Sequence, residues 1–242
     1  MISTEQRAFF RQNGYVKVEQ VIPKANCDRV IEAIWECLGG NPDHPEDWYR
    51  APEGVLSGGG MVEMYHHQAM WDNRQHPALY QVFSELLNET KLWVTLDRVN
   101  MKPPVHPDHP AFDTSFIHWD TDTSKLTFPI NKGQRVQGVL YLADTEPHQG
   151  GFQCVPAIYR RLEEYLREQP ADRNPFVPDL TGYEIETIPG KAGDLVIWDV
   201  LLPHGNGKNR ADRPRYAQYI SMFPAQPHNS ALREKRIEQW KN

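Results

Sequence analysis

The chain has 242 residues, a net charge of −6 and only three cysteines. Length of this order suits one large barrel or sandwich domain. Scattered basic residues without a Lys/Arg stripe argue against nucleic-acid binding. Cys27, Cys37 and Cys154 make no disulfide framework, and Cys27 and Cys37 lie too far apart along one expected helix to bridge. The first twenty residues carry Glu5, Arg7, Arg11, Lys17 and Glu19 and lack the apolar run of a secretion signal. No run of about 18 apolar residues marks a transmembrane helix. A soluble protein of the reducing cytoplasm is expected, without a membrane partner.

The spacing predicts a helix over 4–13, with Thr4 as N-cap and Gly14 as its end, and then a strand over Tyr15 to Val18. Val30, Ile31, Ile34, Trp35 and Leu38 predict a helix over 24–38, closed by Gly39-Gly40. Residues 41–62 read as a long loop, and 77–88 as an amphipathic helix. From Leu92 the pattern shifts to short β-type runs at 92–101, 115–120, 135–143, 182–188, 194–198 and 215–223. A helix at about 158–168 interrupts them, and a last helix fits 230–240. Helices first and strands later predict an α+β, mainly β fold whose core is an antiparallel barrel or jelly roll with the N-terminal helices packed outside. The expected division of this one domain is a helical part about 1–90, a core about 91–224 and a C-terminal helix.

His118-Trp119-Asp120 decides the chemistry. Residues one apart share a strand face, so His118 and Asp120 can point at one ion. His204, after the strong strand Gly193 to Trp198, would complete a 2-His-1-carboxylate set that leaves one octahedral face open for Fe(II) oxygen chemistry. Arg215 opens a strand whose Ala217, Tyr219 and Ser221 share its face, and its planar fork suits a carboxylate. Arg210 and Arg213 belong to the preceding loop. His106 with His109, and His66 with His67, are weaker metal candidates: the first pair sits in a Pro-flanked loop, and the second would point to opposite sides of a strand. No nucleophile elbow, Walker loop or Rossmann fingerprint occurs.

These residues resemble the phytanoyl-CoA dioxygenase family from about Leu92 to Pro224. The resemblance rests on Lys102-Pro103-Pro104, His118-x-Asp120, Val139 to Asp144 followed by Gly150-Gly151, Gly193-Asp194 with Trp198, then His204 and Arg215. It implies a double-stranded β-helix, a cupin-like jelly roll whose open end holds Fe(II). It also implies that 2-oxoglutarate and O2 are co-substrates, that Arg215 binds the distal carboxylate, and that Lys102 and Asn206 lie near the co-substrate. The family often has Ser where Asn206 stands, commonly has Gln where Trp119 stands, and has Pro-Gly-Ser-His where this chain reads Pro156-Ala157-Ile158-Tyr159. The expected activity is hydroxylation of a small organic substrate. A zinc hydrolase using the same ligands and a non-catalytic ligand-binding relative are the alternatives. Trp48 to Trp71, with Ser57-Gly58-Gly59-Gly60 as hinge, is either a lid over the metal or a packing segment.

Overall fold

The computed structural model describes residues 2–241. Helix α1 (Thr4–Asn13) is capped by Ser3, not Thr4. The Ser3 hydroxyl accepts from Gln6 N, and the Gln6 side chain accepts from Ser3 N, so two free backbone donors are satisfied reciprocally. Gly14 ends the helix at φ 79°, and a Cβ there would also meet the Tyr159 ring at 2.8 Å. The chain thus turns straight into β1 (Tyr15–Val18). Helix α2 (Lys24–Leu38) ends on left-handed Gly39 in the same way. The long loop after it contains a 3-10 turn at Pro45–Tyr49 and a two-residue strand, β2 (Met61–Val62). Helix α3 (Gln68–Arg74), which periodicity does not announce in so short a stretch, is capped by the His67 ring, and α4 (Pro77–Leu87) follows.

The run expected at 92–101 is two strands, β3 (Leu92–Val94) and β4 (Val99–Lys102), which join different sheets. Next come β5 (Phe116–His118), β6 (Val136–Tyr141) and β7 (Phe152–Cys154). The helix expected at 158–168 starts at Pro156 and breaks at Arg161 into α5 (Pro156–Arg160) and α6 (Leu162–Glu168). The rest is β8 (Glu186–Thr187), β9 (Leu195–Asp199), β10 (His204–Asn206), β11 (Arg215–Tyr219), β12 (Met222–Pro224) and α7 (Ser230–Lys241). All pairings are antiparallel. A six-stranded sheet runs β1-β9-β6-β11-β4-β2, a four-stranded sheet runs β5-β10-β7-β8, and β12 pairs with β3. The first ninety residues are therefore not purely a helical layer, because β1 and β2 extend the large sheet at both edges.

Period-2 alternation sorts this sheet into two faces. Val16, Val18, Leu140, Leu195, Ile197, Val99, Met101 and Tyr216 face a cluster that includes Val30, Ile34 and Trp35 of α2, Met70 of α3, and Leu79, Val82 and Phe83 of α4. Tyr15, Val139, Tyr141, Val196, Trp198 and Ala217 face the four-stranded sheet, where Ile117, Trp119, Phe152 and Cys154 meet them. One face is roofed by helices, and the other is the inside of the jelly roll.

Candidate metal centre and its cavity

His118 ends β5 and His204 opens β10, and the two are direct partners in the antiparallel register. The sequence places His204 beyond a strand, but it is itself the first residue of one, held between His118 and Cys154. Cross-strand partners stand roughly 5 Å apart, and the two imidazoles have centroids 4.8 Å apart. Asp120 follows β5 and turns its carboxylate between them. Oδ1 lies 3.1 Å from His118 Nε2, and Oδ2 lies 3.5 Å from His204 Nε2. The three donor atoms lie within 4.8 Å of one another, and no other such cluster of three occurs among the described residues.

The chemistry of the donors suits a divalent cation. His204 Nδ1–H can donate to the Leu202 carbonyl at 2.9 Å, so Nε2 is the nitrogen that faces the carboxylate and would give its lone pair to a cation in place of a proton. Hydrogen bonds from His118 and His204 hold the Asp120 carboxyl far below its ordinary range, against the opposing effect of burial, and Gln137 Nε2 adds a bond to Oδ2 at 2.7 Å. Asp120 therefore stays an anionic donor at any working pH. Phe152 stacks along His204 with centroids 6.0 Å apart, and Trp198 lies 4.9 Å from it, so the ring is fixed by packing. Trp119 points away into the core and donates from Nε1 to Leu201 O at 2.9 Å.

These groups border a cavity of about 370 Å³ between the sheets. Lys102, Asn206, Tyr219 and Ser221 form part of its wall, and Gln137, Phe152 and Trp198 another part. Asp97, Arg98 and Met61 also border it, and Arg98 is ion-paired to Glu63 at 2.7 Å. Lys102 Nζ donates to Thr114 O at 2.6 Å and to Gly207 O at 2.8 Å. Burial, then the nearby Arg215 charge, lowers its pKa to about 8. Asn206 donates to the Tyr219 hydroxyl at 2.8 Å.

Arg215, the register partner of Lys102, is not itself on the cavity wall. It is wholly buried, donates from Nη1 to Asn100 Oδ1 at 3.0 Å, and leaves Nε and Nη2 without a partner. A buried guanidinium with one neutral acceptor is an uncompensated charge, and that is costly. Two unpaired donors on one planar fork fit a carboxylate. Gln137 and Phe152 are not among the site residues expected from the sequence, and Tyr219 is expected only on the Arg215 face. The first two carried no motif, and only the register with β9 and β10 brings them to the site.

The two weaker histidine pairs have structural partners, and His66 lies beside the Trp71 ring with centroids 6.3 Å apart. His109 stacks on Tyr49 at 4.2 Å, His106 Nδ1 accepts from Asp108 N, and His67 caps α3. From the segment between Trp48 and Trp71, Gly59 and Met61 reach the cavity, whereas Trp48 and Met64 pack on the helix-side core. Two of its glycines serve close packing. A Cβ on Gly58 would meet Ala111 O at 2.3 Å, and one on Gly60 would meet Lys102 Cα at 2.7 Å.

The sequence pattern of the phytanoyl-CoA dioxygenase family matches residues 10–217. A Dictyostelium discoideum protein provisionally named a phytanoyl-CoA dioxygenase is 25% identical over 97% of this chain and 79% of its own length. The epimerase SnoN, crystallised with Fe3+, alpha ketoglutarate and nogalamycin RO, superposes with a TM-score of 0.64 at 19% identity, covering 94% of this chain and 87% of its own. HygX of Streptomyces hygroscopicus, with nickel and 2-oxoglutarate bound, gives 0.60 at 14% identity over 92% of this chain and 87% of its own. Such structural likeness establishes the jelly-roll fold, and the match over residues 10–217 goes further: the chain belongs to the phytanoyl-CoA dioxygenase family.

Proposed function

We propose that the protein is an Fe(II)- and 2-oxoglutarate-dependent dioxygenase that hydroxylates a small organic molecule. His118, Asp120 and His204 are its iron ligands, and Arg215, with Lys102 and Asn206, serves the co-substrate. The observation that carries this reading is the convergence of two imidazoles and one ionised carboxylate within 4.8 Å at the head of the cavity. The unpaired Arg215 donors add a carboxylate partner at a second point, for which a zinc hydrolase with the same ligands would have no purpose. Family membership and the iron- and 2-oxoglutarate-binding neighbours support the same cofactors. When bound, iron and 2-oxoglutarate would supply oxidising power from O2, releasing succinate and CO2 while one oxygen atom enters the substrate.

The residues of the chain do the positioning. Asp120 provides the anionic donor, and the Leu202 carbonyl sets the His204 tautomer. Phe152 and Trp198 pack against the ligand ring and keep that end of the cavity dry. Lys102 and Arg215 put two positive charges on adjacent strands for a dianionic co-substrate. Asp97, Arg98 and Met61 leave the rest of the wall mixed, which suits a partly polar, partly apolar substrate. Turnover of 2-oxoglutarate with Fe(II) against a metabolite panel tests the reading. Stimulated succinate release with a product one oxygen heavier is expected. Since SnoN is an epimerase and SnoK a carbocyclase, a product of unchanged oxygen content would rule out hydroxylation while keeping the oxidative site. No succinate above background with any compound would refute both.

A further inference from the structure

The two oxygens of Asp120 have unequal surroundings. Oδ1 meets His118 Nε2 at 3.1 Å, whereas Oδ2 lies 3.5 Å from His204 Nε2 and also accepts from Gln137 Nε2 at 2.7 Å. Gln137 stands on the inner face of β6, opposite Trp198 of β9. Its amide has one donor end and one acceptor end. The donor end is committed to Asp120, and Oε1 is buried without a hydrogen-bond partner. A buried carbonyl oxygen without a partner is unfavourable. The flipped amide would set that oxygen against a carboxylate, which is worse. The orientation of Gln137 is therefore dictated by Asp120, and the unpaired Oε1 is its consequence.

We propose that Gln137 is a positioning residue for the metal carboxylate: by holding Oδ2 it keeps Asp120 to a single donor oxygen. The inference rests on His118, Asp120 and His204 being the metal ligands. A carboxylate can hold a cation through one oxygen or both, and the second mode takes up a further coordination position. Three facial ligands leave one face of an octahedron open, and a chelating 2-oxo acid needs two positions of that face. A carboxylate free to swing onto the metal would compete for them. Hydrogen bonds from outside the ligand set orient ligands in this way and tune affinity.

Cobalt(II) is a suitable probe, because its visible absorption responds to coordination number. Wild-type apo protein, Gln137→Met, Gln137→Ala and Asp120→Ala are titrated with Co(II), and then with 2-oxoglutarate. Gln137→Met should lose roughly 10-fold to 100-fold in Co(II) affinity, show an altered absorption band, and bind 2-oxoglutarate more weakly once loaded. Gln137→Ala, which cannot clash, should behave alike and replaces the Met variant if that one does not fold. A wild-type band with wild-type 2-oxoglutarate affinity in a folded Gln137 variant overturns the proposal and leaves the metal site standing. Asp120→Ala binding cobalt as wild type does would overturn the site itself.

Discussion

The two faces of the six-stranded sheet are built from the same strands to opposite standards. The helix-side face is apolar and closed, with Val30, Ile34, Met70, Leu79 and Phe83 buried against it. Of the seven buried side-chain polar atoms without a partner among the described residues, five lie on the inner side: Arg215 Nε and Nη2, Gln137 Oε1, Trp198 Nε1 and His118 Nδ1. The other two, Asn73 Oδ1 and Arg74 Nε, belong to α3. Buried polar groups are ordinarily paired, so most of the unmet bonding capacity lies on the inner side, and the helix side carries the smaller share in α3. Both faces bury apolar clusters, and the inner one in addition carries most of the polar atoms without a partner. Substitutions on the two faces should therefore separate folding from binding.

The largest effect is expected at Asp120. Asp120→Ala deletes the anionic donor and should lower Fe(II) affinity by more than the roughly 100-fold that loss of an outer hydrogen-bond partner costs, with succinate release falling to background. Calorimetric metal titration and a succinate assay check this, and the melting temperature should not fall. On the other face, Phe83→Ala empties a fully buried site under Gly138 and should cost about 3–5 kcal/mol in chemical denaturation. Metal affinity of its folded fraction should stay at the wild-type value. A Phe83 variant that weakened metal binding while keeping its stability would reverse the assignment of the two faces.

Arg215→Lys should raise the 2-oxoglutarate requirement well over tenfold, in line with about 2–5 kcal/mol for breaking a desolvated charge pair, while Arg210→Lys changes little. Equal effects in saturation curves would remove Arg215 from the co-substrate site. A smaller effect is expected from pH. Lys102 has its pKa lowered to about 8 by burial and then by Arg215. An anionic co-substrate favours the protonated amine, so affinity should be full below that pH and fall as pH rises through it. Lys102→Met should bind more weakly at neutral pH and lose this dependence, as binding isotherms across pH 7–9.5 would show.

The same two faces explain what could be read from the sequence. Residues that pack repeat with the period of their element, so α2 and β1 have the expected bounds, and the alternation along Arg215 to Met222 sorts correctly into inner and outer sides. His118, Asp120 and His204 stand out because two candidate ligands one residue apart and a distant third form a pattern, although the strand expected at 115–120 ends at His118 and leaves Asp120 just past it. Short pieces set by tertiary pairing do not: β7 and β10 have three residues each, too few for alternation to register. The break at Arg161 and the division between β3 and β4 follow from which neighbours those segments meet. Gln137 was invisible for the same reason, since its role depends on a cross-sheet approach to Asp120.

The most direct measurement is a crystal structure of the protein grown without oxygen in Fe(II) and 2-oxoglutarate, with anomalous diffraction at the iron edge. A single iron bound to His118 Nε2, one oxygen of Asp120 and His204 Nε2, with the distal carboxylate of 2-oxoglutarate on the now-paired Arg215 fork, is the predicted result. Iron held elsewhere, or a co-substrate carboxylate lodged on Arg98 with Arg215 still unpaired, would contradict it.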